Sequence, residues 1–277
     1  MVVDAAPVAR SPASRPRWRP GSASLLFGVS LGLRFAYAFV STGPGAMPYS
    51  DPAEYDAVAW NLARGAGFSL DAAAGPYPTA MSPPLLPWIV SLLYAVVGHS
   101  YFAAILFQCV IGALVPVLVA RLGSATFGRG AGRVAGWLAA VHPLLVAMCA
   151  YLLTETLFVV LLLFALLLTV AWVARPGGAR ALAAGVVWGL ANLARPTALL
   201  LPAVLFAWAW APVGRAAGSG ARARQMALLL LAMALTIAPW TLRNALVFRA
   251  FVPVAARGGG ALLAGNNFLA WYDPGLR

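Results

Sequence analysis

Eight apolar segments, with arginines in most of the gaps between them, set the limits on what this chain can fold into. They run over residues 25–42, 85–97, 101–120, 134–151, 156–174, 181–194, 196–211 and 226–240. Most approach the roughly 20 apolar residues that a helix needs to cross about 30 Å of hydrocarbon. Composition agrees, since 62% of the 277 residues are hydrophobic and 9% charged, against about 45–50% and about 25% in soluble domains. That excludes an ordinary soluble enzyme. The formal net charge of +12 rests on 19 basic residues, all arginine. A nucleic-acid binder would gather such charge on one polar face or tail, whereas here the arginines fall between apolar runs. The chain therefore reads as an all-α, polytopic membrane protein in the lipid bilayer, with arginines marking its cytoplasmic loops and no nucleic-acid partner.

The 13-residue segment 85–97 decides the topology. It follows Ser82-Pro83-Pro84 and contains Pro87. If it lies along the membrane surface, twelve arginines fall on the cytoplasmic side and six outside. If it crosses, every later loop flips and its arginines leave the cytoplasm, against the charge bias that sets orientation. The expectation is seven transmembrane helices in the cell membrane, with the N-terminus cytoplasmic and the C-terminus outside. Residues 1–21 then form a disordered basic cytoplasmic tail and 22–242 a transmembrane module. The module includes an exterior loop, 43–100, carrying interfacial helices near 51–65 and 83–97, and 243–277 form an exterior tail. This topology brings Asp51, Glu54, Asp56, Asp71, Glu155, Arg195 and Arg243 to one non-cytoplasmic face.

Several of these residues have two readings. Asp51, Pro52 and Glu54 have the spacing of a helix N-cap, its first position and a capping box. Asp51 also shares a helix face with Tyr55 at i+4 and suits a general base for an acceptor hydroxyl. Glu155, heading the 156–174 run, is either an acid favoured by the helix dipole or a functional acid at a membrane mouth. Arg195 and Arg243 stand where the charge bias disfavours them, which fits phosphate binding by the guanidinium fork as well as snorkelling. Cys109 and Cys149 lie inside apolar runs and read as small buried hydrophobes, not as a disulfide. His99 and His142 are isolated, and His142-Pro143 fits a kink better than a ligand. With no Walker, GxGxxG or HExxH pattern, the sequence calls for no cofactor and leaves divalent-metal use open.

The chain carries Asp51-x-x-x-Tyr55 after one span, Pro83-Pro84-Leu85 before a short apolar helix, and Thr154-Glu155 at a helix mouth. Leu193-Ala194-Arg195-Pro196, Pro239-Trp240-x-x-Arg243-Asn244, and Gly259-Gly260 before Gly265-Asn266-Asn267 follow. In this order, over nearly all of residues 22–270, they resemble the superfamily C integral-membrane glycosyltransferases. The resemblance is to bacterial family 39-like members, related to protein O-mannosyltransferases and the lipid A aminoarabinose transferase. It implies sugar transfer from a polyprenyl-phosphate donor to an acceptor on the extracytoplasmic face, with inversion at the anomeric centre. Asp51 then matches the first-loop acid and catalytic base, Glu155 the second acid of the cavity, and Arg195 a basic residue near the donor phosphate. Tyr55 matches a tyrosine of the first-loop helix, and Glu54 and Arg243 join as candidate substrate-binding residues. Such relatives are longer, so the chain is expected to lack their C-terminal part, and a partner subunit is one way to complete the donor site. The alternatives are a non-catalytic membrane subunit, an inactive truncated paralogue or a transporter. A transporter calls for broken helices and polar groups at mid-membrane, whereas these acids gather at one mouth.

Overall fold

The computed structural model describes residues 20–202, 204 and 219–257. Ten α-helices are found there: α1 (Pro20–Ser41), α2 (Ser50–Ala63), α3 (Leu85–Val97), α4 (Tyr101–Gly112), α5 (Leu114–Thr126), α6 (Arg129–Val141), α7 (Pro143–Ala147), α8 (Thr154–Ala174), α9 (Gly178–Ala194) and α10 (Ser219–Phe248). A two-residue hairpin, β1 (Ser69–Leu70) and β2 (Tyr77–Pro78), is the strand structure among the described residues. Four helical stretches are long and apolar enough to cross a membrane: Ser22–Ser41, Tyr101–Thr126, Thr154–Ala174 and Gly220–Phe248. The bent pair Arg129–Val141 and Pro143–Ala150 makes a fifth when taken as one span. The chain is an all-α, polytopic membrane protein. Of the expected spans, half of 196–211 lies outside the described residues, as do all of the N-terminal tail through residue 19 and the glycine-rich segments at 258–260 and 265–267.

Local sequence accounts for these elements. In α8 an unbroken apolar run carries its single acid, Glu155, in the first turn. Stretch 101–126 stays continuous because Ala113 is helical and Pro116 falls in the first turn of α5. Between α6 and α7 the chain bends by 55°. His142 there is extended (φ −62°, ψ 120°), the conformation that a following proline imposes.

Small residues let the spans approach. A Cβ on Gly185 of α9 would lie 2.2 Å from the Leu229 carbonyl oxygen of α10, and one on Gly189 would lie 2.5 Å from Thr236 Cβ. The two helices therefore pack backbone to backbone, as membrane helices do where small residues face each other. Cys109 and Cys149 are buried free thiols, as the sequence indicated. Arg34, in the middle of α1, is wholly buried. It bonds to the Ser30 hydroxyl and, at 3.4 Å, to the Ala140 carbonyl, joining α1 to α6.

The ends of the spans meet at one end of the bundle. Thr42, just after α1, donates to the Ala150 carbonyl at 2.8 Å, and Leu152 N–H reaches the Tyr101 hydroxyl at the start of α4. The first turn of α8 meets the end of α9 through Glu155 and Arg195. Helix α3 packs against α2 beside this end. Its 13 residues span about 20 Å at 1.5 Å each, and both its flanks are fastened to α2. Ser82, before it, bonds to Glu54, and His99, after it, bonds to Asp56 at 2.9 Å. At 13 residues α3 is a shorter apolar helix than the four stretches long enough to cross a membrane.

Candidate active site

The site begins where the chain enters α2. Ser50 has φ 55°, a conformation sparsely used outside glycine, and the helix starts there with Tyr49 as its cap and no side-chain capping bond. Asp51 is therefore not the N-cap, which corrects the capping reading. Its carboxylate is taken instead by Arg257 in an ion pair, and charge-assisted bonds of this kind are stronger than those to neutral backbone N–H groups.

Glu54, one turn further along α2, accepts from two sides. Ser82 Oγ donates to its Oε1 and Arg257 Nη2 to its Oε2. Arg257 thus bridges both acids, and the three side chains open progressively toward the surface: 17% exposed at Glu54, 32% at Arg257 and 49% at Asp51. Burial works against the charge of Arg257, but its bond to Asp51 and the field of Glu54 outweigh that and raise its pKa above the ordinary value.

Tyr55 joins this cluster to the second acid. Its ring is buried, and its hydroxyl hydrogen-bonds with Thr154 and feels the charges of Arg257, Asp51 and Glu155. Burial raises its pKa above 10.0, more than the Thr154 bond and Arg257 lower it. It therefore stays a neutral hydroxyl. Glu155, next to Thr154, pairs with Arg195 at the end of α9, both side chains 38% exposed. Asp51, Glu54, Tyr55, Glu155 and Arg195, scattered over 145 positions in sequence, are thus linked through Tyr55 and their ion pairs.

Arg243 stands apart from them. Its guanidinium donates to the Thr79 carbonyl at 2.8 Å, to the Phe68 carbonyl at 3.1 Å and to Asn244 Oδ1 at 3.0 Å. It also packs between the rings of Phe68, Trp240 and Phe248, with centroids 4.9–5.5 Å away. It fastens the hairpin segment to α10, beside a mostly apolar cavity of about 460 Å³ lined by Leu62, Trp88, Leu193 and Trp240.

Two participants are invisible to sequence reasoning. Arg257 is separated from Glu54 by 203 residues, and no spacing rule links them. It is delivered by a segment that turns back at Arg249 (φ 52°) and is held by α10. Trp240 donates to the Val254 carbonyl at 2.7 Å, Thr241 to Pro253 at 2.8 Å and Asn244 to Val252 at 3.0 Å. The Pro-Trp-x-x-Arg-Asn motif is thus a clamp, and its Trp and Asn are the signal that a returning segment follows. His99 is isolated only in sequence. It stacks on Trp60 at 4.8 Å and bonds to the buried Asp56, which also accepts from the Tyr94 hydroxyl. Among the described residues no group of three or more His, Cys, Asp and Glu side chains comes together as a metal site.

Comparison with curated proteins returns no match. A family model does match, that of the dolichyl-phosphate-mannose-protein mannosyltransferases, over residues 81–242. This stretch holds Glu155 and Arg195, while α2 precedes it and Arg257 follows it. More than half of the chain fits that family, on a bundle of membrane helices with paired acids and arginines at one end. The chain belongs to the dolichyl-phosphate-mannose-protein mannosyltransferase family and is a membrane glycosyltransferase of the superfamily C kind.

Proposed function

We propose that the chain moves a sugar from a polyprenyl-phosphate donor to an acceptor hydroxyl on the extracytoplasmic face of the cell membrane, with its N-terminus in the cytoplasm. Asp51 is the general base. It takes the acceptor proton as the acceptor oxygen attacks the anomeric carbon. The bond from that carbon to the phosphate oxygen breaks with its electron pair on the phosphate, inverting the anomeric centre. Charge grows on the leaving phosphate, and cationic donors aimed at developing charge are where such sites gain most of their rate. Arg195, at the mouth and only part-buried, fills that place, with Glu155 orienting it and serving as the cavity's second acid. The neutral Tyr55 hydroxyl, within the field of both acids, contacts the substrate without adding charge. Glu54 and Arg243 support the site, the first through Arg257 and the second by holding the hairpin segment to α10.

The observation that supports this reading is that Asp51 and Glu155, 104 positions apart, both lie close enough to Tyr55 for their charges to act on its hydroxyl. Membranes from cells expressing the chain, supplied with radiolabelled polyprenyl-phosphate mannose and a panel of other polyprenyl-phosphate sugars, test it. Transfer of label is expected from one donor, with loss in both Asp51→Asn and Glu155→Gln at unchanged protein level. Full transfer by both variants overturns the assignment.

A further inference from the structure

Arg257 takes no part in the reaction as written above, yet much of the structure at this end converges on it. Two carboxylates at i and i+3 on one helix face repel each other, and a single guanidinium answers both. The innermost, Glu54, is fixed from its other side by Ser82. The outermost, Asp51, gives Oδ1 to Arg257 and is the most exposed of the three, its side chain 49% accessible.

The delivery of Arg257 is equally determined. Side chains of α10 hold residues 252–254 by their carbonyls, and Ala256 N–H bonds to the Ala80 carbonyl at 2.8 Å, two residues before Ser82. Among the described residues the non-glycine positions with positive φ are Ser50 and Arg249. Each opens the segment that carries one partner, Ser50 directly before Asp51 and Arg249 directly after α10. Such conformations persist where surrounding structure over-determines them, and they cluster at functional sites.

We infer that Arg257 is the positioning residue of the base: anchored by Glu54 and Ser82, it fixes the Asp51 carboxylate with one oxygen held and the other presented to the acceptor. It acts through Asp51 and touches neither sugar nor phosphate. The inference rests on the reading of Asp51 as general base. A base displaced by about 1 Å costs up to about 100-fold in rate, and a long side chain gripped at both ends prevents that displacement.

The full chain is assayed in membranes with radiolabelled polyprenyl-phosphate mannose, or with whichever polyprenyl-phosphate sugar the wild type turns over. Arg257→Gln is expected to lower turnover about 10- to 100-fold while donor KM stays unchanged, and Arg257→Lys to restore much of it. Asp51→Asn runs in parallel. If it retains activity, the base reading falls. If it is dead while Arg257→Gln turns over like the wild type, the positioning role alone falls. A raised donor KM at unchanged turnover makes Arg257 a donor ligand and also overturns it. Should Arg257→Gln fail to reach the membrane, Glu54→Gln carries the test by removing the inner anchor. Reduced turnover at unchanged donor KM supports the role, and wild-type turnover overturns it.

Discussion

Glu155 and Arg195 form an ion pair that ties the first turn of α8 to the residue ending α9. Both side chains are more than a third exposed, and pairs of this kind contribute about 0–1 kcal/mol to stability. Glu155→Gln is therefore expected to shift unfolding by no more than about 1 kcal/mol while abolishing transfer. Thermal unfolding of the detergent-purified variant, set beside its activity in membranes, separates the two. A large drop in stability makes the pair a structural tie.

Arg243 is expected to behave in the opposite way. Its guanidinium serves two backbone carbonyls of the hairpin segment and three aromatic rings. Removing it strands those carbonyls, at about 1–3 kcal/mol each where they are buried. Arg243→Ala should lower the unfolding midpoint and the amount of chain recovered from membranes. Arg243→Lys, which lacks the planar fork, should recover only part of the loss. Unchanged stability with lost donor binding instead returns Arg243 to the substrate-binding set.

Alkaline pH should loosen the segment between α1 and α4. Burial, reinforced by the hydrogen bond to and charge of Asp56, raises the Tyr94 hydroxyl above its ordinary pKa of 10.0. A pKa raised by folding means that the stabilisation is complete below the unfolded value and is lost as pH climbs past it. Unfolding midpoints should hold steady to about pH 10 and fall above it. Tyr94→Phe should show a shallower fall. An identical pH dependence in the variant excludes Tyr94 as its source.

Both flanks of α3 should be reached from the same side of the membrane. Met81 and Val97 are exposed, as is Phe127 in the turn after α5, and the native thiols Cys109 and Cys149 are buried. A membrane-impermeant maleimide applied to intact cells should label Met81→Cys and Val97→Cys but not Phe127→Cys until the cells are opened. Labelling of Met81→Cys and Val97→Cys from opposite sides shows that α3 crosses.

Legibility followed the range of the forces involved. The span at α8 is plain in sequence because its apolar run is unbroken, and the break at His142-Pro143 because proline constrains its own neighbour. Arginine counting predicts that α3 stays at the membrane surface, since orientation depends on summed charge along the chain. The helices over the apolar stretches 101–120 and 134–151 reach further than the hydropathy does, on to Thr126 and back to Arg129, because arginines and glycines there lower the hydropathy without ending a helix. Asp51 carries a capping pattern that the structure does not use, since a distant cation outcompetes the local backbone donors for its carboxylate.

By itself the sequence determined that the chain is all-α and lives in a bilayer, and that its arginines and scarce acids sit mainly in the segments flanking its apolar runs. These follow from hydrophobic transfer and charge bias, which act on local composition. Only the tertiary structure decided which acid meets which arginine: Asp51 and Glu54 with Arg257, Glu155 with Arg195, and Asp56 with His99. Ion pairing falls off within a few ångströms and takes no account of sequence separation, so the partners became visible once packing had brought the helix ends together.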